Sequence, residues 1–293
     1  MKLDSKKTQA LLAIIDTGSF EQAAHKLKIT ASAISQRIKA LESQLGVPLV
    51  SRTRPCHSTQ EGLMLVHYLR RSQALAQEFE SDFYNTVGMR IPIAINNDSL
   101  GTWFLPALSD FLQTENIMLD ILVDDQDFTH TALEAGTALA AISAKSTAMK
   151  GCNARLLGSI RYRLLASPSF YTRYFKQGLN RNSILKAPLL VFDRKDQLQA
   201  SFLHEHFSVH QDSCPIHYIP STEAFYHAIK LGLAYGMVPS IHCTKELASG
   251  EIIDLAPGCY IDTPLYWHHW DIQSPKLAQL TQCLIEQSKR WLF

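Results

Sequence analysis

Polar and basic side chains that could contact nucleic acid cluster between residues 30 and 54. If a helix begins after Thr30, one of its faces is small or polar and carries no acidic residue. Serine and glutamine can reach base edges, whereas lysine and arginine can neutralise phosphates. We therefore predict that Ser32, Ser35 and Gln36 contact base edges and that Arg37, Lys39, Arg52 and Arg54 contact mainly phosphates.

Two short helices with a tight turn between them are needed to present that face. Ser19 is a good N-cap for the first helix, with Gln22 completing a capping box, and this helix ends near Leu27. The next helix has Thr30 as its candidate cap. Apolar residues recur along it at steps of four, three and four and form one face: Ile34, Ile38, Leu41 and Leu45. The pattern predicts a helix-turn-helix whose recognition helix spans about residues 30–45.

The charge distribution distinguishes a DNA-binding unit from an ordinary helix pair in a globular core. Residues 1–58 contain nine Lys or Arg and four Asp or Glu, a net charge of +5. The whole chain carries +1, so residues 59–293 carry −4. A basic domain joined to a mildly acidic body is typical of a DNA-binding protein with a separate sensor.

A long helix is predicted to follow the basic domain. Ser58 and Glu61 form another capping box, and no proline interrupts the segment up to about Tyr84. About 25 residues of helix are roughly 37 Å long, more than a small domain needs. Such a helix either packs on one domain or pairs with a copy of itself. The candidate dimerisation residues on its apolar stripe are Leu65, Leu69, Phe79 and Phe83.

From residue 90 onward, strand-like and helix-like segments alternate, which is typical of α/β subdomains with parallel sheets. Ligands bind such sheets at the carboxyl ends of strands. A residue there can hold a ligand carboxylate, as Ser99 would, or simply cap a helix. The acids after the strand ending at Val123 could meet a cationic group or belong to a solvated loop, and a tryptophan could stack on a cation or pack in a core. The candidate ligand-binding residues are Ser99, Trp103, Asp124, Asp125, Ser221 and Thr222.

Composition and motifs exclude other classes of protein. The chain has 293 residues, 46% of them hydrophobic, which is enough for two or three folded domains. No apolar stretch is long enough for a signal peptide or a transmembrane helix, so we expect a cytoplasmic protein without a membrane partner. The six cysteines include no C-x-x-C pair and are expected to be free thiols. No catalytic or zinc-binding spacing is present, so we predict no enzymatic activity, no metal and no cofactor.

The helix-turn-helix is similar to that of the LysR-type transcriptional regulators. The matching positions are Ala23, Ala24, Leu27, Ile29, Thr30, residues 32–35, Ile38, Leu41, Glu42, Leu45, Gly46, Leu49 and Arg52. The resemblance implies a wing over residues 46–55, which carries Arg52 and Arg54. The family often has glutamine where this chain has Ala31, so we expect one base contact common in the family to be absent.

The resemblance covers essentially the whole chain and is most specific for the arginine- and lysine-responsive branch of the family. The segments that carry it are residues 96–108, 185–188, 221–225, 245–251 and 265–268. It implies a winged helix-turn-helix domain in residues 1–58, a linker helix and hinge in 59–89, and an effector-binding domain in 90–293. That domain would resemble periplasmic binding proteins, with lobe I about 90–162 and 270–293, lobe II about 163–269, and a ligand cleft between them.

The fold class implied is therefore mixed: an all-α winged helix-turn-helix and linker helix, followed by an α/β effector domain of two lobes. The resemblance implies a sequence-specific transcriptional regulator that senses lysine or arginine and controls genes of amino-acid transport or metabolism. Its expected partners are double-stranded DNA, the effector, further copies of the chain in a homodimer or homotetramer, and RNA polymerase if it activates. The alternatives are a regulator with a different effector or none, and a solute-binding protein.

Overall fold

The computed structural model describes residues 3–84, 89–123 and 129–293. The N-terminal unit contains three helices and a short hairpin: α1 (Ser5–Thr17), α2 (Phe20–Leu27), α3 (Ala31–Leu45), β1 (Val50–Ser51) and β2 (His57–Ser58). Both predicted caps are present, since the Ser19 side chain accepts a hydrogen bond from the Gln22 amide and the Thr30 side chain accepts one from the Ala33 amide. The predicted helix-turn-helix is therefore confirmed.

The recognition helix and the hairpin are held in a fixed relation. The helices share a small core that includes Leu11, Ile14, Ile34, Ile38 and Leu41. At the end of α3, the Glu42 carboxylate accepts hydrogen bonds from the amides of Leu49 at 2.8 Å and Val50 at 3.4 Å. These two bonds attach the first strand of the hairpin to α3.

A single long helix, α4 (Gln60–Tyr84), follows the hairpin as predicted. Its first turn is capped by Thr59, whose hydroxyl accepts a hydrogen bond from the Gly62 amide at 2.9 Å. The predicted cap, Ser58, instead belongs to β2. Only glycine fits at position 62, because a Cβ atom there would lie 1.9 Å from the Leu49 carbonyl oxygen.

Residues 90–293 form two lobes that share a mixed sheet. The strands are β3 (Arg90–Ile95), β4 (Met118–Val123), β5 (Ala140–Ser143), β6 (Cys152–Ala166), β7 (Leu189–Val191), β8 (Ile216–Tyr218), β9 (Gly236–Pro239), β10 (Ile253–Asp254) and β11 (Ile261–Trp270). The main sheet has the order β10-β6-β11-β5-β3-β4, with β9 also paired to β6. β3 runs parallel to β4 and β5, whereas β6 and β11 run antiparallel to each other.

The helices of this domain alternate with its strands, as the sequence predicts. They are α5 (Asn97–Ser99), α6 (Leu105–Thr114), α7 (Thr129–Glu134), α8 (Pro168–Phe170), α9 (Arg181–Ile184), α10 (Leu198–Phe207), α11 (Thr222–Lys230), α12 (Thr244–Ser249) and α13 (Pro275–Ser288). A π-helical turn at Leu100–Phe104 joins α5 to α6. This turn lies just before Pro106, whose missing N–H would interrupt a regular α-helix.

The lobes are connected through β6, which is long enough to belong to both. Its residues 152–162 pair with β11, and residues 162–166 pair with β9 and β10. The sheet is thus mixed and not parallel throughout, because β6 and β11 cross in opposite directions. β6 passes from one lobe to the other near residues 162–166.

The linker helix α4 also contacts the effector domain. His67 Nε2 donates a hydrogen bond to the Glu134 carbonyl oxygen at 2.8 Å, and Arg70 Nε donates to the Gly136 carbonyl oxygen at 3.1 Å. The same Arg70 guanidinium pairs with Asp16 of α1. Arg70 therefore touches the DNA-binding unit and the effector domain at once.

Candidate functional site

A groove between α3 and the hairpin contains several of the predicted DNA-contacting residues. Its lining includes Ser32, Ser35, Arg52 and Arg54, together with Ala31. The Arg52 guanidinium carbon lies 5.7 Å from the centre of the Phe20 ring, which places the arginine beside the first residue of α2. The groove thus combines small polar side chains on a helix with two cationic side chains on a hairpin, a surface that fits a DNA backbone and groove.

The remaining predicted DNA-contacting residues lie farther along α3. Gln36 and Lys39 are exposed, whereas Arg37 is half-buried. Gln36 and Lys39 are four and seven residues from Ser32, so they share its side of the helix. Arg37 is one step around the helix from Gln36 and does not face the same way.

A second cavity lies between the two lobes of the effector domain. It encloses about 660 Å³, including its open mouth. Lobe I contributes the residues that follow β3, the crossing strand contributes Tyr162, and lobe II contributes the loop before α10 and the first turn of α11. The polar lining residues are Asn96, Asn97, Asp98, Tyr162, Asp196, Gln199, Thr222 and His242.

Asp98 joins the two lobes inside this cavity. One carboxylate oxygen accepts a hydrogen bond from the Tyr162 hydroxyl at 2.6 Å, and the other accepts one from the Thr222 hydroxyl at 2.8 Å. Burial raises the pKa of Asp98 above its usual value, and the two hydroxyl donors oppose that shift only in part. Among the described residues that line the cavity, none is a lysine or an arginine. The carboxylate therefore has two hydroxyl donors and the His242 side chain near it, but no lysine or arginine among the described lining residues.

Other polar atoms at the cavity have no hydrogen-bond partner within the described part of the chain. They are Oδ1 of Asn96, Oε1 of Gln199 and Nδ1 of His242. Asn96 is 4% exposed and Gln199 is 1% exposed. Buried polar groups are normally hydrogen-bonded, so unpaired oxygens in a cavity wall indicate the place of a ligand or of water.

The six predicted ligand-binding residues are distributed differently from expectation. Thr222 lines the cavity. Ser99 and Trp103 are fully buried and are absent from the cavity lining, because their side chains point from the helix into the core while Asp98 faces the cleft. Ser221 is exposed and caps α11 by accepting a hydrogen bond from the Ala224 amide. Asp124 and Asp125 lie outside the described residues.

Sequence reasoning did not single out Asp98, Asp196 and Gln199, which line the cavity. Asp98 is the neighbour of Ser99, the residue that the sequence predicts to contact the ligand. The four consecutive polar residues 96–99 directly after a buried strand were the available signal. Which of the four faces the cleft depends on the local helix rotation, which sequence alone does not show.

The predicted dimerisation residues also divide into two groups. Leu69 is buried and Leu65 is partly buried in the core of the DNA-binding unit. Phe79 and Phe83 are 64% and 69% exposed, with ring centres 5.5 Å apart. The exposed apolar stripe of α4 consists of Met64, Tyr68, Leu75, Phe79 and Phe83.

The described residues contain neither a cluster of metal-ligating side chains nor a helix that could span a membrane. Within residues 3–84, 89–123 and 129–293, no three His, Cys, Asp or Glu side chains are grouped so that they could hold a metal ion. Burial raises the pKa of both the Cys152 and Cys243 thiols to about 12, so neither is a reactive thiolate at neutral pH. No helix in the described part of the chain is long and apolar enough to cross a bilayer.

Comparison with known proteins identifies the class to which this arrangement belongs. Residues 6–63 match the family described as "Bacterial regulatory helix-turn-helix protein, lysR family", and residues 86–289 match the LysR substrate binding domain. The chain belongs to the LysR family of bacterial regulatory helix-turn-helix proteins. Both parts of the predicted mixed architecture, the helix-turn-helix and the α/β domain, are thereby confirmed.

Individual relatives are similar over the full length. The HTH-type transcriptional regulator ArgP of Vibrio parahaemolyticus is 39% identical, covering 99% of this chain and 98% of the relative. The crystal structure of ArgP from Mycobacterium tuberculosis has a TM-score of 0.84 at 34% identity, with 99% of each chain covered. LysG from Corynebacterium glutamicum, solved with the effector Arg bound, has a TM-score of 0.78 at 33% identity and the same coverage.

Proposed function

We propose that this LysR-family protein is a transcriptional regulator that binds lysine or arginine between its two lobes. The observation that carries the proposal is the Asp98 carboxylate, which faces a cavity lined by no lysine or arginine among the described residues. An enclosed carboxylate is poorly solvated, and a cationic ligand would offset that loss. The similarity to ArgP proteins and to LysG solved with bound Arg supports the same class of effector.

The DNA-binding role is assigned to α3 and the hairpin. Ser32, Ser35 and Gln36 contact base edges in the major groove, while the basic residues of the hairpin contact phosphates. The genes controlled would be those of amino-acid transport or metabolism, and RNA polymerase would be a further partner if the protein activates them. A regulator of chromosomal genes of this kind acts in the cytoplasm.

The assembly is a homodimer formed through α4, with a homotetramer as its further association. The exposed stripe defined above supports this proposal, because large apolar side chains repeated along one side of a helix are stabilised by burial against a partner. The stripe replaces Leu65 and Leu69 as the contact surface, since those two side chains already pack inside the chain. A dimer would place two recognition helices on the two half-sites of one operator.

Isothermal titration calorimetry with each of the twenty amino acids tests the effector. We expect strong binding of lysine, arginine or both, and much weaker binding of the neutral amino acids. Gel-shift titrations with the upstream DNA of the protein's own gene, with and without the amino acid that binds, test the DNA-binding role. Absence of heat with lysine and arginine up to millimolar concentration, where about −4 kcal/mol of binding would still register, would leave a LysR-family regulator with another effector or none.

A further inference from the structure

Among the described residues, two carboxylates lie in different parts of the wall of the cavity between the lobes. Asp98 lies just after β3 in lobe I, and Asp196 lies in the loop that precedes α10 in lobe II. A basic amino acid carries two cationic groups, the α-ammonium and the group at the end of its side chain.

The surroundings of Asp98 fit the α-carbon end of an amino acid. Asp98 accepts a hydrogen bond from Thr222, the first residue of α11. The N-terminus of a helix attracts a carboxylate, and α11 has nine residues. Because the α-ammonium and α-carboxylate groups share one carbon atom, a carboxylate at the start of α11 places the ammonium beside Asp98.

The unpaired oxygen of Asn96 provides independent support. Asn96 is 4% exposed, lines the cavity, and has no partner for Oδ1 in the described part of the chain. It precedes Asp98 by two residues. An ammonium group has three N–H donors and needs more acceptors than one carboxylate oxygen offers.

The surroundings of Asp196 fit the far end of the side chain. Its carboxylate accepts hydrogen bonds from the Phe192 amide at 3.2 Å and the Leu198 amide at 2.9 Å, which fix its orientation. Gln199 is 1% exposed and lines the same cavity, and its Oε1 has no hydrogen-bond partner within the described part of the chain. A carboxylate and an amide oxygen together suit a lysine ammonium or an arginine guanidinium group.

We propose that the two carboxylates divide the effector between them, with Asp98 binding its α-ammonium group and Asp196 binding the cation of its side chain. The assignment rests on the proposed function. It makes Asp98 the residue that recognises an amino acid of any kind, and Asp196 the residue that selects a basic one. Since Asp98 also holds Thr222, occupancy of the α-ammonium position reinforces the contact between the lobes.

Three ligands separate the two roles. Norleucine has the lysine skeleton without the side-chain ammonium, and 6-aminohexanoate has it without the α-ammonium. The affinities of lysine, norleucine and 6-aminohexanoate are measured by calorimetry and by ligand-induced melting shifts, using the full-length protein. The variants are Asp98→Asn and Asp196→Asn, which keep the side-chain shape, and Asp212→Asn at an exposed site is the matched control.

The expected pattern differs between the variants. Asp196→Asn should weaken lysine and 6-aminohexanoate by about thirtyfold or more and leave norleucine unchanged. Asp98→Asn should weaken lysine and norleucine by a common factor and leave 6-aminohexanoate unchanged. Asp212→Asn should bind all three ligands like the unmodified protein.

The contrary results are equally distinct. If the two variants showed the opposite ligand preferences, or if lysine affinity were unchanged in both, the assignment would be overturned. Lysine binding by the unmodified protein would still support the proposed function in that case. Failure of the unmodified protein to bind lysine or arginine would remove the proposed effector itself, and the assignment with it. A melting temperature measured without ligand shows that each variant is folded.

Discussion

The hydroxyl of Thr222 should stabilise the effector domain, because it joins lobe II to the enclosed carboxylate of Asp98. The bond is 2.8 Å long and Thr222 is 8% exposed. We consider Thr222→Val, which keeps the shape of the side chain and removes only the donor. A hydrogen bond to a charged group contributes about 1.5–3 kcal/mol, and the opening of the cavity to solvent lowers this to about 1–2 kcal/mol for Asp98. For a domain of this size the melting temperature should fall by roughly 2–6 °C.

The pH dependence of that loss identifies its cause. Burial raises the pKa of Asp98, and the Tyr162 and Thr222 hydroxyls lower it. A carboxyl group with a raised pKa in the folded state favours folding most below its unfolded pKa, and that contribution is lost as pH rises through the folded pKa. Removing the Thr222 donor raises the pKa of Asp98 further. The penalty of Thr222→Val should therefore be larger at a pH above the folded pKa of Asp98 than below it, and it should shrink as acidification protonates the carboxyl group.

Thermal melts of the ligand-free protein across a pH series are the assay, with Thr222→Ser as the control that retains the hydroxyl. We expect the serine variant to follow the unmodified protein more closely than the valine variant does. Equal melting temperatures for the valine and serine variants at neutral pH would refute the energetic role of the bond. A valine penalty that did not change with pH would refute the role of the ionised carboxylate.

Three further outcomes are expected. Arg52→Ala should weaken binding to specific and random DNA alike and reduce the slope of log K against log salt by about 0.9 per protomer, and an unchanged slope would show that Arg52 touches no phosphate. Gln36→Ala should lose discrimination at one base pair by about 1–3 kcal/mol, so equal losses on operator and random DNA would contradict a base contact. The double change Phe79→Glu and Phe83→Glu should convert the dimer to a monomer in sedimentation at micromolar concentration, with Gln60→Glu as an exposed control on the same helix; a dimer that survives would exclude the stripe as the interface.

Local sequence rules predicted the DNA-binding unit well, because its elements are decided by neighbouring residues. The caps at Ser19 and Thr30 and the apolar face of α3 depend on spacings of three and four residues. Contacts between residues far apart in the sequence could not be predicted in this way. The partners of Asp98 are Tyr162, 64 residues away, and Thr222, 124 residues away. No periodicity in a single sequence connects positions so far apart.

The linker helix shows the same limit within one element. Its sequence predicted a long helix with apolar residues, and that helix is present. Yet its residues have three different surroundings. Leu69 packs in the DNA-binding core, Arg70 contacts the effector domain, and Phe79 is exposed. Burial of Leu69 inside the chain and exposure of Phe79 are compatible with the same helical pattern, since periodicity states which residues share a side and not what covers that side. The stripe that remains exposed once the contacts within the chain are known is therefore a better candidate for assembly than the stripe defined by hydrophobicity alone.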